Sequence, residues 1–239
     1  MFKRVVPLDV SRHATLRVRP ALDQAYARTL QRSIVMQSEI RRAAARYPIV
    51  FVEDPETDGF RPVALFGLAP GDNVFVGSDG QWRASYIPAV VRAYPFVLAR
   101  SDRPDRFLVC IDEASDLVGH DEGAPLFQSD GQPDQALEEV KAFLARLRGM
   151  QLATDAFTRA LAQRNLLTPF TIQAGRADSP PLQGCYVVNE ERLDALPIEH
   201  LADLRARGWL STIYAHLMSL LQIERLEPGA ILGSVRPEA

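Results

Sequence analysis

The chain has 239 residues, 47% of them hydrophobic and 24% charged, with a formal net charge of −3 at pH 7. That length suits one large domain, or a domain with an appended subdomain, and the small negative charge gives no overall pull toward phosphate backbones or anionic surfaces. No run approaches the roughly 18 apolar residues of a membrane span, and the segment from Met1 to Leu8 lacks the apolar stretch of a signal peptide.

A cytoplasmic protein without membrane insertion is therefore expected, and a nucleic-acid-binding regulator is disfavoured. Of the 27 basic residues only Lys3 and Lys141 are lysine. GC-rich coding accounts for such a whole-chain arginine excess without invoking an anionic ligand. Cys110 and Cys185 each sit inside an apolar run, which favours buried thiols over a disulfide.

In chain order, residues 2–8 and 13–18 read as short strands about a polar turn. Leu22, Tyr26, Leu30, Ile34 and Ile40 recur at helical spacing and predict an amphipathic helix over about 22–46. Pro48 stops it, because the residue before a proline is pushed out of the helical region. Ile49 to Val52 reads as a buried strand, followed by a charged turn to Gly59 and a second strand from Pro62 to Leu68. A short strand is expected from Asn73 to Val76 and a short helix between Trp82 and Val91. Tyr94-Pro95-Phe96 opens another strand, which returns from Phe107 to Ile111 after a polar turn.

Residues 113–133 read as an irregular acidic loop. Asp134 is a plausible N-cap for a helix carrying Leu137, Val140, Leu144 and Leu147 on one face, with a break at Gly149 before more helix to about Leu166. Thr168 to Ile172 and Cys185 to Val188 form the last strand pair. Pro197 opens a helix closed by Gly208, and Trp209, Ile213, Leu217 and Leu220 mark a final helix to about Ile223. The expected organisation is a single domain over 1–226 with a flexible tail over 227–239.

Three junctions share one form: Tyr47-Pro48-Ile49, Tyr94-Pro95-Phe96 and Thr168-Pro169-Phe170. Each precedes a strand, turn, strand pattern. They are either an internal repeat or an independent use of proline to end helices. Both readings give an α+β fold, with an antiparallel-rich or mixed sheet built from about three hairpins, packed helices and a helical C-terminal part.

No nucleophile elbow, phosphate loop, Cys-x-x-Cys or His-Glu-x-x-His stands in the sequence, so no catalytic residue, metal site or cofactor is assigned. His13, at the start of an early strand, reads by default as a polar surface residue and is kept as a binding candidate. His200 reads as solvated, and His216 as a core or boundary residue. His120-Asp121-Glu122 lacks the spacing that brings ligands together on one ion, and Asp112-Glu113 reads as a solvated turn after a strand. The segment Trp82 to Pro95 gathers aromatics, two arginines and two prolines. Trp82, Tyr86, Arg92 and Tyr94 are therefore the principal binding candidates, since aromatics and arginine dominate recognition hot spots. Buried aromatic packing is the competing reading of the same segment.

Tyr47-Pro48-Ile49-Val50-Phe51, the run Pro62 to Leu68, the block Trp82 to Phe96, Cys110-Ile111-Asp112, Tyr186 to Glu191 and Ile213 to Leu217 together resemble the SapC family. The resemblance runs from about residue 3 to 222. It implies a link to surface-layer protein production or secretion in Gram-negative bacteria. It also implies a gene neighbourhood of TonB-dependent receptors and flavin-dependent tryptophan-halogenase-like enzymes. The family is distinct from the similarly named permease of a peptide transporter, and it supplies no catalytic residues to carry over.

Two functional readings follow. The first is a non-enzymatic accessory or binding protein that recognises a protein or peptide linked to surface-layer export or outer-membrane uptake. The alternative is an enzyme, or the partner of a halogenase-like enzyme, acting on a small molecule or peptide. That alternative requires His13 or His216 to converge with carboxylates such as Asp112 or Glu113.

Overall fold

The computed structural model describes residues 1–55, 57–101, 107–173 and 180–227, and the backbone of Ile231–Leu232. Its first elements are β1 (Val5–Pro7), α1 (Val10–His13), β2 (Arg17–Val18), β3 (Arg32–Ile34) and α2 (Gln37–Ala43). Next come the hairpin β4 (Ile49–Asp54) and β5 (Gly59–Leu65), α3 (Ala89–Arg92), and the hairpin β6 (Phe96–Arg100) and β7 (Phe107–Asp112). Two short strands follow, β8 (Val118–Gly119) and β9 (Ala124–Pro125), then the long helix α4 (Gln135–Gln163). The chain finishes with β10 (Leu167–Gln173), β11 (Leu182–Val188), α5 (Glu190–Asp194), α6 (Ile198–Ala206), α7 (Trp209–Ser219) and β12 (Ile231–Leu232). Short 3₁₀ turns lie at Ala25–Ala27 and Leu220–Arg225. The fold is α+β, as the alternation of hairpin and helix signals predicts, and among the described residues every strand pairing is antiparallel.

The chain packs as two compact units, one formed by residues 1–24 and 89–149, the other by 25–88 and 150–239. The second unit holds a six-stranded sheet in the order β12-β10-β11-β4-β5-β3. Ile49, Val50 and Phe51 of β4 are fully buried, as a continuous apolar run in a central strand should be. Helix α7 buries Thr212, Ile213, His216 and Ser219, spaced for one helical face; His216 and Ser219 bond to strands of this sheet, and Thr212 accepts from Gln37 of α2. Gly208 separates α6 from α7 with φ +71°, a left-handed backbone that glycine adopts without steric cost. The first unit has a three-stranded sheet, β1-β7-β6, and a smaller one, β8-β2-β9. Leu16, Ala93, Phe96, Ile111, Leu126, Leu137 and Leu144 form its core.

All three proline junctions belong to antiparallel hairpins, but only Pro48 and Pro95 directly precede their strands, β4 and β6; Pro169 is the third residue of β10, opposite Tyr186, and stops no helix, since α4 has already ended at Gln163. Other expectations are corrected. No helix spans 22–46; Arg32–Ile34 is a strand on β5, and the helix is confined to Gln37–Ala43. Leu22 is 85% exposed, so its helical spacing to Tyr26 and Leu30 marks no buried face. Pairing with β5 outweighs a weak local helical pattern. Residues 13–18 do not form one strand, because His13 ends α1 and only Arg17–Val18 is extended. From Asn73 to Val76 the backbone makes a single bridge, Val76 to Trp82, instead of a strand.

The acidic segment 113–133 is ordered by β8 and β9, which flank β2 on both sides. Gly149 does not break α4, which runs unbroken for 29 residues. Within the expected tail, Ile231–Leu232 pairs with the end of β10. Residues 228–230 and 233–239 lie outside the described residues.

Candidate functional site

Three segments of the first unit surround an open cleft of about 430 Å³: the end of β2 with Pro20 and Ala21, the run from Arg92 to Phe96, and the first turns of α4. That size lies in the range of small-ligand and side-chain pockets, roughly 300–1,000 Å³. Its lining is chiefly apolar and includes Val18, Ala93, Phe96, Val140, Phe143 and Leu144. Ala93, Phe96 and Leu144 also belong to the unit's core, so part of the wall is held by close packing. Arg19, Arg92 and Glu139, all exposed, are its charged residues. The Arg92 guanidinium lies 5.5 Å from the centre of the Phe143 ring, and that of Arg146 lies 5.9 Å from the same ring. The ring face attracts and orients both cations.

Tyr94 lines the cleft, yet it is 7% exposed and its hydroxyl points to Asp112 at 3.3 Å. The Asp112 carboxylate is buried at the end of β7 and accepts backbone N–H bonds from Lys3 (2.9 Å), Arg4 (2.8 Å) and Ala114 (3.2 Å). Burial raises its pKa, but the N–H donors of Arg4, Lys3 and Ala114 prevail and hold it below the ordinary carboxylate value. Glu113 then binds His13 Nε2 at 2.9 Å, Arg12 Nε at 2.7 Å and Arg4 Nε at 3.1 Å. The His13 hydrogen bond, followed by the charges of Arg12 and Arg4, lowers its pKa despite some desolvation.

Asp112-Glu113 is therefore not a solvated turn. His13 is not a surface residue either, being 2% exposed. It caps α1 from within, its Nδ1 lying 3.0 Å from both the N–H and the carbonyl oxygen of Asp9. In the neutral form Nδ1 accepts the Asp9 N–H while Nε2–H donates to Glu113. The cluster pins the N-terminal segment to the end of β7.

Trp82 and Tyr86 fall in the other unit. Trp82 Nε1–H donates to the Tyr47 hydroxyl at 2.8 Å, and its ring stands perpendicular to Phe66 at 5.1 Å. Tyr47 donates to the Tyr86 carbonyl, and Tyr86 donates to Glu39, a buried carboxylate that also accepts the Met36 N–H at 2.9 Å. Arg42 lies over the Tyr86 ring at 4.9 Å. Both candidates are half-buried, with their side-chain polar atoms bonded inside their own unit. Of the five binding candidates, Arg92 and Tyr94 share the cleft, His13 belongs to the cluster behind Tyr94, and Trp82 and Tyr86 belong to the second unit.

The remaining histidines divide as expected. His200 is exposed, and His120 is exposed with Nδ1 3.0 Å from the Thr15 hydroxyl. His216 is fully buried, as its place beside the Ile213 face predicts. Among the described residues no group of three or more His, Cys, Asp or Glu side chains is placed to hold a metal ion. No helix there is long and apolar enough to cross a membrane. Both cysteines are free and buried, and burial pushes their thiols up, that of Cys185 to about 11.

Sequence reasoning placed Val140 on the core face of α4 and left Phe143, Glu139 and Arg19 unmarked. The useful signal was Phe143 beside the Leu137/Val140/Leu144 stripe. Its partner Arg92 is 51 positions away, however, and no local pattern joins the two.

Residues 8–226 match the SapC family model. No curated protein and no solved structure matches the chain.

Proposed function

The chain belongs to the SapC family, and we propose that it works as a binding protein that receives a peptide segment of a protein partner in the cleft bounded by Arg92, Phe143 and Val140. One observation carries this reading: a mainly apolar cleft with exposed arginines at its rim, beside a polar cluster whose groups are already bonded to one another. Such a surface supplies affinity through burial and orientation through a few charges. The resemblance noted above makes an exported surface-layer protein, or a component of outer-membrane uptake, the partner class.

The rival reading has one observation in its favour. His13 and Glu113 stand at hydrogen-bond distance, within the reach that acid–base chemistry needs. Yet His13 is buried and bonded at both ring nitrogens, and neither residue lines the cleft. The binding reading is therefore preferred. A halogenase-like enzyme remains a partner that it accommodates.

Affinity capture from native lysate tests the reading with wild type, Arg92→Glu, Val140→Glu and an exposed control, Arg205→Glu. The expected result is a protein retained by wild type and control and lost with both cleft variants. Capture indifferent to the cleft variants would overturn it.

A further inference from the structure

The second unit holds a serine whose hydroxyl meets an arginine that has no carboxylate partner. Ser85 is exposed, in an irregular stretch between the Val76–Trp82 bridge and α3. Arg46, three residues after α2, is half-buried, and its Nε–H donates to Ser85 Oγ at 2.7 Å. Among the described residues its guanidinium makes no ion pair, whereas Arg4, Arg12, Arg61 and Arg164 each meet a carboxylate. A cation partly withdrawn from water calls for a counter-charge, and here a neutral hydroxyl stands in that place. Arg42, four residues earlier, also makes no ion pair among the described residues and lies 4.9 Å from the ring centre of Tyr86, the neighbour of Ser85. Arg83 is held by Asp79 at 2.8 Å and is not counted. The stretch is anchored on both sides of Ser85: Trp82 Nε1–H donates to the Tyr47 hydroxyl at 2.8 Å, Tyr47 donates to the Tyr86 carbonyl, and Tyr86 donates to Glu39. None of these bonds uses the Ser85 hydroxyl, so a group added to Oγ leaves them in place.

We propose that Ser85 is a phosphorylation site whose phosphate is received by Arg46. A serine kinase supplies the phosphoryl group from a nucleoside triphosphate. The Ser85 Oγ attacks the γ-phosphorus, the bond to the β,γ-bridging oxygen breaks, the nucleoside diphosphate leaves, and the hydroxyl proton passes to the kinase's base. The product is a phosphomonoester with three strong acceptor oxygens and a charge of about −1.5 to −2 at pH 7. The Arg46 Nε–H already points at the oxygen that carries it, and the rest of the guanidinium supplies the fork that phosphate oxygens accept from in pairs. Arg42 adds positive charge beside the same stretch. The modified serine then fastens the stretch to the end of α2 through charge-assisted bonds, where the unmodified one offers a single neutral acceptor.

The full chain is purified from its native cells in growth and in stationary phase, and its tryptic peptide 84–92 is sequenced by mass spectrometry. Phosphate on Ser85 in at least one phase is the expected result; phosphate on Tyr86 instead, or on neither residue in both phases, overturns the proposal. In parallel, phosphoserine is installed at position 85 by genetic-code expansion, in the wild-type background and with Arg46→Gln or Arg46→Lys, and titrated by phosphorus NMR. The ordinary second pKa of phosphoserine is about 6. Beside Arg46 it should fall below about 5.5, return to about 6 with Arg46→Gln, and stay low with Arg46→Lys. An ordinary value that ignores Arg46→Gln would show that Arg46 does not receive the phosphate. A third arm titrates the unmodified chain with inorganic phosphate. Saturable millimolar binding that Arg46→Gln abolishes, together with an unmodified native Ser85, would make this a site for a free phosphate and overturn the modification.

Discussion

At His216 both ring nitrogens are committed to strand backbone: Nδ1–H donates to the Ile49 carbonyl at 2.8 Å, and Nε2 accepts the Val188 N–H at 3.1 Å. Ser219, one turn later, accepts the Ile49 N–H at 2.9 Å. The helix thus ties together β4 and β11 through an imidazole that must stay neutral. Burial pushes its pKa down to about 4, although the bond to Ile49 acts the other way. The unfolded chain takes up the proton near the ordinary value of 6.5, so the contribution is present above that pH and lost as pH falls toward 4. The loss amounts to up to about 3 kcal/mol. Urea unfolding of wild type and His216→Gln between pH 7.5 and 4.5 should show a steeper decline for wild type; parallel curves would contradict this role.

Asp112, unlike His216, is a residue whose sequence position gave little away. A carboxylate after a strand reads as a turn, yet this one holds the N–H groups of Lys3 and Arg4. Asp112→Ala leaves these part-buried donors without their acceptor and should cost about 1–3 kcal/mol, with faster amide exchange along β1. Unchanged exchange at Val6 would show that β1 is held by its strand pairing alone.

At the scale of elements, the three hairpins were legible because each carries a proline, an apolar run and a polar turn, although Pro169 lies inside β10 and ends no helix. The segment 22–46 was not, since its helical spacing arises from residues such as Leu22 that no core covers. Strand β3 exists because β5 offers it an edge at Val63 to Leu65. Long-range pairing of that kind leaves no local signature. The expected break at Gly149 failed for a related reason: a glycine weakens a helix without stopping it when both flanks favour helix.

A Cβ at Gly149 would meet nothing within 4 Å, so Gly149→Ala should stabilise the protein by about 0.5–1 kcal/mol. Gly208, at φ +71°, should respond oppositely, with Gly208→Ala costing about 1 kcal/mol. Thermal or urea midpoints of the two variants decide both signs. A destabilised Gly149→Ala would mean that α4 is not regular helix there.

Across the whole molecule, α+β class and helical C-terminal part followed from the sequence, and the chain packs as two compact units divided at residues 24/25, 88/89 and 149/150. That division runs through the aromatic segment chosen as a binding surface. Trp82 and Tyr86 lie on one side of it, Arg92 and Tyr94 on the other. Half of the candidate site was thus visible in the chain as a cluster of recognition residues. The other half, Val140 and Phe143, is brought to Arg92 only by α4 lying beside the Arg92–Phe96 run.

The central claim, that the cleft is where a partner segment is received, is tested most directly by site-specific photocrosslinking in native cells. p-Benzoylphenylalanine replaces Glu139, exposed at the cleft, or Tyr214, 51% exposed on α7. A discrete adduct from position 139, lost on adding Arg92→Glu, with none from position 214, is the predicted result. Adducts from position 214 alone, or from position 139 undiminished by Arg92→Glu, would contradict it.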